Sequence, residues 1–160
     1  AGEPDILNHN IETVPRLYKA VRHKAQFDRS LAILKQASQW SPRPVTKSGL
    51  MLGLGETHAE IEEVMLKLRA VDCDVLTLGQ YLRPSPKHFP VQRYLTPEEF
   101  STLGITAQAM GFKHVESGPL VRSSYHAETQ VLNSKPLTNQ IPIPLVNDGV
   151  GFGPPESHCC

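Results

Sequence analysis

The sequence predicts an α/β fold in which parallel strands alternate with helices. Apolar runs of strand length are followed by stretches with helical periodicity, and four strands are predicted before residue 127. Two of the helices open with a capping box, at Thr57 with Glu60 and at Thr96 with Glu99. We therefore expect a parallel sheet with right-handed crossovers, in which the residues that follow the strands share one edge.

The segment 47–57 is the clearest strand–turn–helix unit. Its apolar residues indicate a buried strand, Gly53 and Gly55 allow a tight turn, and Glu56 places a carboxylate at the strand end. A dinucleotide-binding turn would need a third glycine where His58 stands, and the Gly-Lys-Ser/Thr of a P-loop is absent. The segment by itself therefore indicates either a ligand-binding turn or an ordinary strand–helix connection.

The other elements can be placed on either side of this unit. They are a strand at Ile6 and Leu7, a short helix from Thr13, a helix over about 28–39, a strand over 73–79, a helix from Thr96 to Gly111 and a strand over 112–116. Beyond these elements the chain mixes prolines, glycines and polar residues without periodicity. We expect one domain over 1–127, forming part of a TIM-like (β/α) barrel, and an irregular or disordered tail over 128–160.

Composition argues against several classes of protein. The 160 residues contain 16 basic and 16 acidic side chains, so the net charge predicts no nucleic-acid or membrane binding. There is no apolar run of about 20 residues and no signal-peptide pattern at the start, so we expect a cytoplasmic protein. The cysteines, Cys73, Cys159 and Cys160, lack metal-binding spacing, and Cys73 is expected in the core.

Three polar groups each allow two interpretations. The triplet Asn8-His9-Asn10 after the first strand either bonds to the loops or faces a ligand, and Gln80 is either a ligand-facing residue or a loop cap. The stiff loop 83–94 carries three prolines and the fixed charges of Arg83, Lys87 and Arg93. It is either a solvated connection or a docking surface for an acidic partner.

Four segments in combination resemble one family. They are Asn8-His9-Asn10-Ile11-Glu12-Thr13-Val14-Pro15-Arg16, the stretch 46–57, Leu76-Thr77-Leu78-Gly79-Gln80-Tyr81-Leu82-Arg83-Pro84, and Gly118-Pro119-Leu120-Val121-Arg122-Ser123-Ser124-Tyr125. On these motifs, residues 1–127 resemble the carboxyl-terminal part of lipoyl synthase, a radical S-adenosylmethionine family. Gly49, Met51, Gly53 and Glu56 also resemble the strand end that packs against adenine in such enzymes.

The resemblance implies an activity, cofactors and partners. The family uses S-adenosylmethionine and two 4Fe-4S clusters to insert sulfur at carbons 6 and 8 of a protein-bound octanoyl-lysine. The implied partners are an electron donor and octanoylated lipoyl carrier domains, such as those of 2-oxoacid dehydrogenase acyltransferase subunits and the glycine cleavage H protein.

The resemblance also implies roles for individual residues. Asn8, Asn10 and Glu12 are assigned to the ribose or methionine side of the cofactor. A second set, assigned to adenosine, comprises Gly53, Gly55, Glu56, Gln80 and Tyr81. Ser124, or alternatively Ser123, is assigned to an iron of the auxiliary cluster. No catalytic residue is identified in this chain.

The chain also departs from the family pattern. The cysteine triplets that hold the clusters and the glycine-rich segment that holds the methionine amino group are absent, and the tail lacks the usual helical ending. We therefore expect a truncated chain that is inactive alone. The alternative prediction is a noncatalytic α/β fragment that binds a nucleotide or a carrier domain.

Overall fold

The structure, a computed structural model, describes residues 4–122. Its elements in chain order are β1 (Ile6–Asn8), a 3₁₀ turn (Pro15–Leu17), α1 (Tyr18–Val21), α2 (Phe27–Ser38), β2 (Val45–Leu52), α3 (His58–Ala70), β3 (Val75–Gln80), α4 (Pro97–Ala109) and β4 (His114–Gly118). Among the helices of this part of the chain, none has the length and apolar character needed to cross a membrane.

The four strands form one parallel sheet in the order β1-β2-β3-β4. Each strand therefore pairs with its neighbour in sequence, and right-handed crossovers of this kind place all helices on the same face. The predicted α/β fold with parallel strand–helix repeats is confirmed, and the consecutive strand order agrees with part of a (β/α) barrel. The expected tail over 128–160 lies outside the described residues.

The core lies between the sheet and the helices. Leu50, Leu52, Leu76 and Leu78 alternate along β2 and β3 and are at most 3% exposed. They belong to one apolar cluster with helix residues that are themselves buried, namely Leu34, Ile61, Val64, Met65, Leu68, Phe100, Leu103 and Ala107. The opposite face of the sheet carries small and polar residues, including Gly49, Thr77 and Gly79 in registered positions of β2 and β3.

Some element boundaries differ from the sequence-based prediction. The first turn begins at Pro15 rather than Thr13, because Val14 precedes it in extended conformation without any side-chain cap. β2 begins at Val45, several residues before the apolar run, since Thr46, Lys47 and Ser48 are also buried. The two predicted capping boxes, by contrast, are both present at Thr57 and Thr96.

Asp74 joins the amino ends of three strands. Its carboxylate accepts hydrogen bonds from the Thr46 amide at 3.0 Å and forms ion pairs with Arg43 at 3.1 Å and Lys113 at 2.9 Å. Its backbone amide donates to Thr46 O, and its carbonyl accepts from the Lys113 amide. Burial alone would raise the pKa of Asp74, but the Lys113 and Thr46 hydrogen bonds and the Arg43 charge outweigh burial and lower this pKa.

We predict that Asp74→Asn lowers the free energy of unfolding by about 3 kcal/mol at neutral pH, because it leaves two cations beside a buried neutral group. The folded-state pKa of Asp74 is lowered, so its stabilising effect is present above the unfolded pKa of about 4 and disappears as the pH falls through the folded value. Urea unfolding of both proteins between pH 7 and pH 3 measures this effect.

Asp72→Asn is the matched control, since Asp72 is exposed and asparagine tolerates its φ of 60°. This control should change stability by less than about 0.5 kcal/mol. Equal loss in the two variants, or a loss at Asp74 that stays constant down to pH 3, would contradict the role of the carboxylate.

Candidate functional site

A cleft of about 240 Å³ opens at the carboxyl edge of the sheet. Its lining comes from the ends of β2 and β3 and from the segments that follow β1, β3 and β4. The described lining residues are Asn10, Glu12, Gly49, Leu50, Met51, Thr77, Gly79, Gln80, Leu82, Val121 and Arg122. The cleft therefore lies where parallel α/β sheets bind their ligands.

Two glycines in the lining of the cleft are closely packed against their neighbours. A Cβ atom on Gly49 would lie 2.6 Å from Thr77 Oγ1 and 3.2 Å from Asn10 Oδ1, and one on Gly79 would collide with the carbonyl oxygen of Val121. In the β2–β3 register Gly49 is opposite Thr77, and Met51 is opposite Gly79. Neighbouring groups thus already occupy the space beside both glycines, and only glycine permits such close packing at these two points.

The segment after β1 forms one wall of the cleft. The Glu12 amide donates to Gly49 O at 2.9 Å, and the Met51 amide donates to Glu12 O at 2.8 Å. These bonds hold Glu12 at a φ of 72°, which is uncommon for a residue with a side chain. Asn10 Oδ1 in the same wall is buried and has no hydrogen-bond partner among the described residues. The wall therefore presents a carboxylate and an unused acceptor.

Arg16 ties this wall to the start of α3. Its guanidinium donates to both carboxylate oxygens of Glu60, at 2.8 and 3.0 Å, and to Gly55 O at 2.9 Å. Glu60 is also the acidic member of the Thr57 capping box. The Arg16 hydrogen bond, followed by the backbone bond from Thr57, lowers the pKa of Glu60 to about 2. Glu60 therefore stays ionised throughout the neutral range.

The glycine turn after β2 is held by hydrogen bonds made within the turn itself. Glu56 is buried, and its two oxygens accept from the amides of Gly53 at 2.6 Å and Leu54 at 2.9 Å. A Cβ on Gly53 would collide with Arg93 O, whereas one on Gly55 would meet only the Gln92 side chain at 3.3 Å. The structure does not bring Gly53, Gly55 or Glu56 into the lining of the cleft.

Gln80 and Tyr81 hold the following loop in place. Gln80 Nε2 donates to Tyr81 O and Arg93 O, both at 3.1 Å, and Gln80 Oε1 accepts from the Leu95 amide at 3.0 Å. The Tyr81 hydroxyl donates to Phe89 O at 2.8 Å. Gln80 lines the cleft while acting as a loop cap, and Tyr81 is not in the lining.

The two asparagines assigned to the cofactor are separated by the structure. Asn10 lines the cleft, as does Glu12, whereas Asn8 is exposed on β1 and is not in the described lining. The chain leaves the strand at Asn8, so the two-residue alternation that would place both side chains on one face does not continue.

Part of the positive charge of the predicted docking loop is neutralised by an ion pair. Arg93 pairs with Glu99 at 2.7 Å, and Arg83 donates to the carbonyl oxygens of His88, at 2.8 Å, and Pro86. Lys87 is exposed and forms no ion pair with a described residue. The loop therefore presents less positive charge than its sequence suggests.

Within residues 4–122 no group of three histidine, cysteine or acidic side chains could hold a metal ion. Cys73 is 0% exposed, and burial raises the pKa of its thiol to about 12, which does not suit a thiolate ligand. Ser123 and Ser124, assigned to the auxiliary cluster, lie outside the described residues.

Sequence reasoning did not assign Thr77, Gly79, Leu82, Val121 or Arg122 to the cofactor, although all line the cleft. A signal for two of them was present. Thr77 and Gly79 are two residues apart in a strand, so they share a face opposite to that of Leu76 and Leu78. Once the leucines are placed in the core, the other face is the one open to a ligand.

We predict that Gly53→Ala destabilises the chain more than Gly55→Ala. Both glycines have φ near 100°, so each alanine carries strain of about 1–2 kcal/mol, but only Gly53 would also force its Cβ against the Arg93 backbone. The free energy of unfolding, measured with urea, should therefore fall further for Gly53→Ala by at least about 1 kcal/mol, and the urea midpoint should be lower. Equal midpoints would show that the 81–95 loop moves away freely and that Gly53 does not fix it.

No protein-family model matches the chain. Several curated proteins do match, and they are lipoyl synthases. The protein from Nitrosococcus oceani is 62% identical over 130 residues, which cover 81% of this chain and 40% of the relative. Those from Caldanaerobacter subterraneus subsp. tengcongensis and Bacillus cytotoxicus are 58% and 57% identical, covering 79% and 84% of this chain and 45% of each relative. The chain thus spans less than half the length of these relatives. Over about four fifths of its own length it is similar to lipoyl synthases, which confirms the family resemblance expected from its motifs.

Proposed function

We propose that this chain supplies the part of a lipoyl synthase that contacts S-adenosylmethionine. The complete reaction inserts sulfur at carbons 6 and 8 of an octanoyl group on a carrier-protein lysine. The observation that carries the proposal is the chemistry of the cleft, which is lined by both the unused acceptor of Asn10 and the acidic residue Glu12. The sequence identity of 56–62% with lipoyl synthases supports the proposal.

The cleft residues fit the groups of this cofactor. S-adenosylmethionine carries a positive sulfonium, an ammonium group and ribose hydroxyls, all of which suit a carboxylate or an amide oxygen. Asn10 Oδ1 would accept one of these donors, and Glu12 would balance positive charge. A planar base would lie against the apolar side chains of Met51, Leu82 and Val121 in the lining, which would also limit the access of water. When bound, the cofactor would supply the radical that removes hydrogen from the octanoyl chain.

The described residues offer no place for an iron–sulfur cluster, so no step of the reaction is assigned to one here. The assignment of Ser124, or Ser123, to an auxiliary-cluster iron stays a prediction from the resemblance. The adenosine roles of Gly53, Gly55, Glu56 and Tyr81 also remain predictions, and their present contacts support an indirect role through the shape of the turn and loop.

We further propose that an octanoylated lipoyl carrier domain approaches along the 83–94 loop. Lys87 and Arg83 are the loop cations that the described ion pairs leave available, although carbonyl groups orient Arg83, whereas Arg93 is held by Glu99. Two available charges act mainly on the association rate and give a modest salt dependence. An electron donor is the other partner that the family implies.

The first test is cofactor binding by the chain itself. Asn10→Ala should raise the Kd for S-adenosylmethionine about five- to tenfold, which corresponds to the loss of one hydrogen bond worth ~1 to 1.4 kcal/mol. Asn8→Ala is the control, since Asn8 has the same side chain two residues away but is not in the described lining. Isothermal titration calorimetry at constant salt gives both constants, and circular dichroism checks the fold.

Two outcomes would contradict this proposal. One is the absence of saturable binding of S-adenosylmethionine, and the other is an equal effect of the two asparagine substitutions. Tighter binding of ATP than of S-adenosylmethionine would instead favour the alternative prediction of a nucleotide-binding module.

The second test addresses the complete reaction. A chimaera in which this chain replaces the matching segment of the Nitrosococcus oceani enzyme should form protein-bound lipoyl from an octanoylated carrier domain, as detected by mass spectrometry. Ser124→Ala in the chimaera should leave S-adenosylmethionine cleavage intact and reduce lipoyl formation by at least about tenfold, because a lost ligand bond in an iron site commonly costs that much. Full lipoyl formation by both Ser124→Ala and Ser123→Ala would rule out the metal role.

A further inference from the structure

A second cavity of about 240 Å³ lies where α1 meets α2, beside the end of β1. It shares no described lining residue with the cleft at the sheet edge. Its polar lining residues are His9, Arg22, Lys24, Gln26, Arg29 and Ser30. Among the described residues that line it there are three fixed positive charges and no carboxylate, although the chain as a whole has no net charge.

Arg22 is the basic residue of this cavity whose side chain is held in place by hydrogen bonds. Its Nη1 donates to Asn10 O at 3.0 Å and to Ile11 O at 3.2 Å, and its guanidinium lies 5.8 Å from the centre of the Tyr18 ring. Carbonyl groups and an aromatic ring orient a guanidinium without neutralising its charge. Arg22 also interacts with the Tyr18 hydroxyl, and the N–H groups that remain of the five on its guanidinium can donate to a further acceptor.

Lys24 and Arg29 add positive charge at the rim. Both are exposed, and neither forms an ion pair with a described acidic side chain. The carboxylate nearest to them in sequence, Asp28, is not among the lining residues. Arg16, Arg43 and Arg93, by contrast, are each paired with a carboxylate.

His9 and the start of α2 provide hydrogen-bonding groups inside the cavity. His9 Nε2 is buried and has no hydrogen-bond partner among the described residues. Burial and then the charge of Arg22 lower the pKa of His9 and outweigh the opposing charge of Glu12, so the ring is neutral near pH 7 and one of its nitrogens can carry a proton for donation. Gln26 precedes α2 without a side-chain cap, which leaves the first amides of this helix available to an acceptor.

We infer that this basic cavity binds a phosphate group. A phosphate supplies several strong acceptor oxygens and up to two negative charges, and it matches three cations, a neutral imidazole N–H and uncapped helix amides better than a single carboxylate does. Free inorganic phosphate and the phosphate of a small monoester share this chemistry. The inference stands on residues outside the proposed cofactor cleft, so it holds or fails separately from the proposed function.

The test is a calorimetric titration of the chain with inorganic phosphate, at an ionic strength held constant with sodium chloride. We expect saturable binding, and the Lys24→Gln/Arg29→Gln double variant should raise the Kd at least about tenfold through the loss of two charge-assisted contacts. The matched control is Lys19→Gln/Lys35→Gln, which removes the same charge from exposed positions on α1 and α2 that do not line the cavity. The control should change the Kd by less than about twofold.

A second measurement locates the ligand. Amide hydrogen exchange at residues 27–29 should slow when phosphate is added to the wild-type chain and should not change in the Lys24/Arg29 double variant. Repeating the titration with phenyl phosphate separates the two sources, since at least tenfold tighter binding of the monoester would assign an organic phosphate and equal binding would assign the free ion.

Three results would overturn the inference. The first is the absence of saturable phosphate binding up to about 10 mM, since a specific site of this charge should bind more tightly than that. The second is an equal increase of the Kd in both double variants. The third is unchanged hydrogen exchange at the start of α2 under saturating phosphate. All substituted side chains in the double variants are exposed, so these results can be read on folded protein.

Discussion

The ionised carboxylate of Asp74 is the interaction on which the register of the sheet depends. It lies where β2, β3 and β4 begin, and its side chain and backbone together contact Thr46, Arg43 and Lys113 from the segments on both sides. In a parallel sheet a shift of one residue would move every side chain to the other face. A fixed start therefore decides that Gly49, Thr77 and Gly79 face the cleft, and that the leucines between them face the helices.

At the opposite edge of the sheet, the same arrangement of a helix-capping glutamate and an arginine occurs twice. Glu60 and Glu99 each complete a capping box, and each also holds an arginine, Arg16 in one case and Arg93 in the other. A carboxylate at a helix start is favoured by the exposed amides there, and the arginine then joins a preceding loop to that start. The walls around the cleft are thus anchored to helix ends rather than to the core.

The parts of the structure that were predictable from sequence are the local ones. The two capping boxes need only residues three positions apart, and the alternation of apolar runs with helical periodicity was sufficient for the α/β fold. The partners of the site residues could not be predicted in the same way. The sequence left Gln80 open between a ligand-facing residue and a loop cap, and in the structure it lines the cleft while its amide bonds to the backbone of residues 93–95. Glu56 bonds to the amides of the adjacent turn, and the path of these backbone segments is a tertiary property.

The burial of polar groups was also not predicted from the sequence. Lys47 is only 2% exposed within β2, and burial lowers the pKa of its amine although the Glu116 charge opposes that effect. Nothing in the local pattern distinguishes this lysine from one at a strand end exposed to water. The basic cavity was missed for a similar reason, since His9 and Arg29 are far apart in sequence and are brought together by the segment between β1 and α2, which contains the 3₁₀ turn and α1.

The consecutive order of the strands has a consequence for how this chain can fold. The pairings join Ile6 to Val45, Lys47 to Val75 and Val75 to His114, so each closes a loop of about 30 to 40 residues whose entropic cost differs from the others by only a few tenths of a kcal/mol. Strand pairing between sequence neighbours keeps contact order moderate for a parallel sheet. Any of the three strand–helix–strand units can therefore act as the nucleus, and the choice among them falls to side-chain packing, which is most complete around β2 and β3.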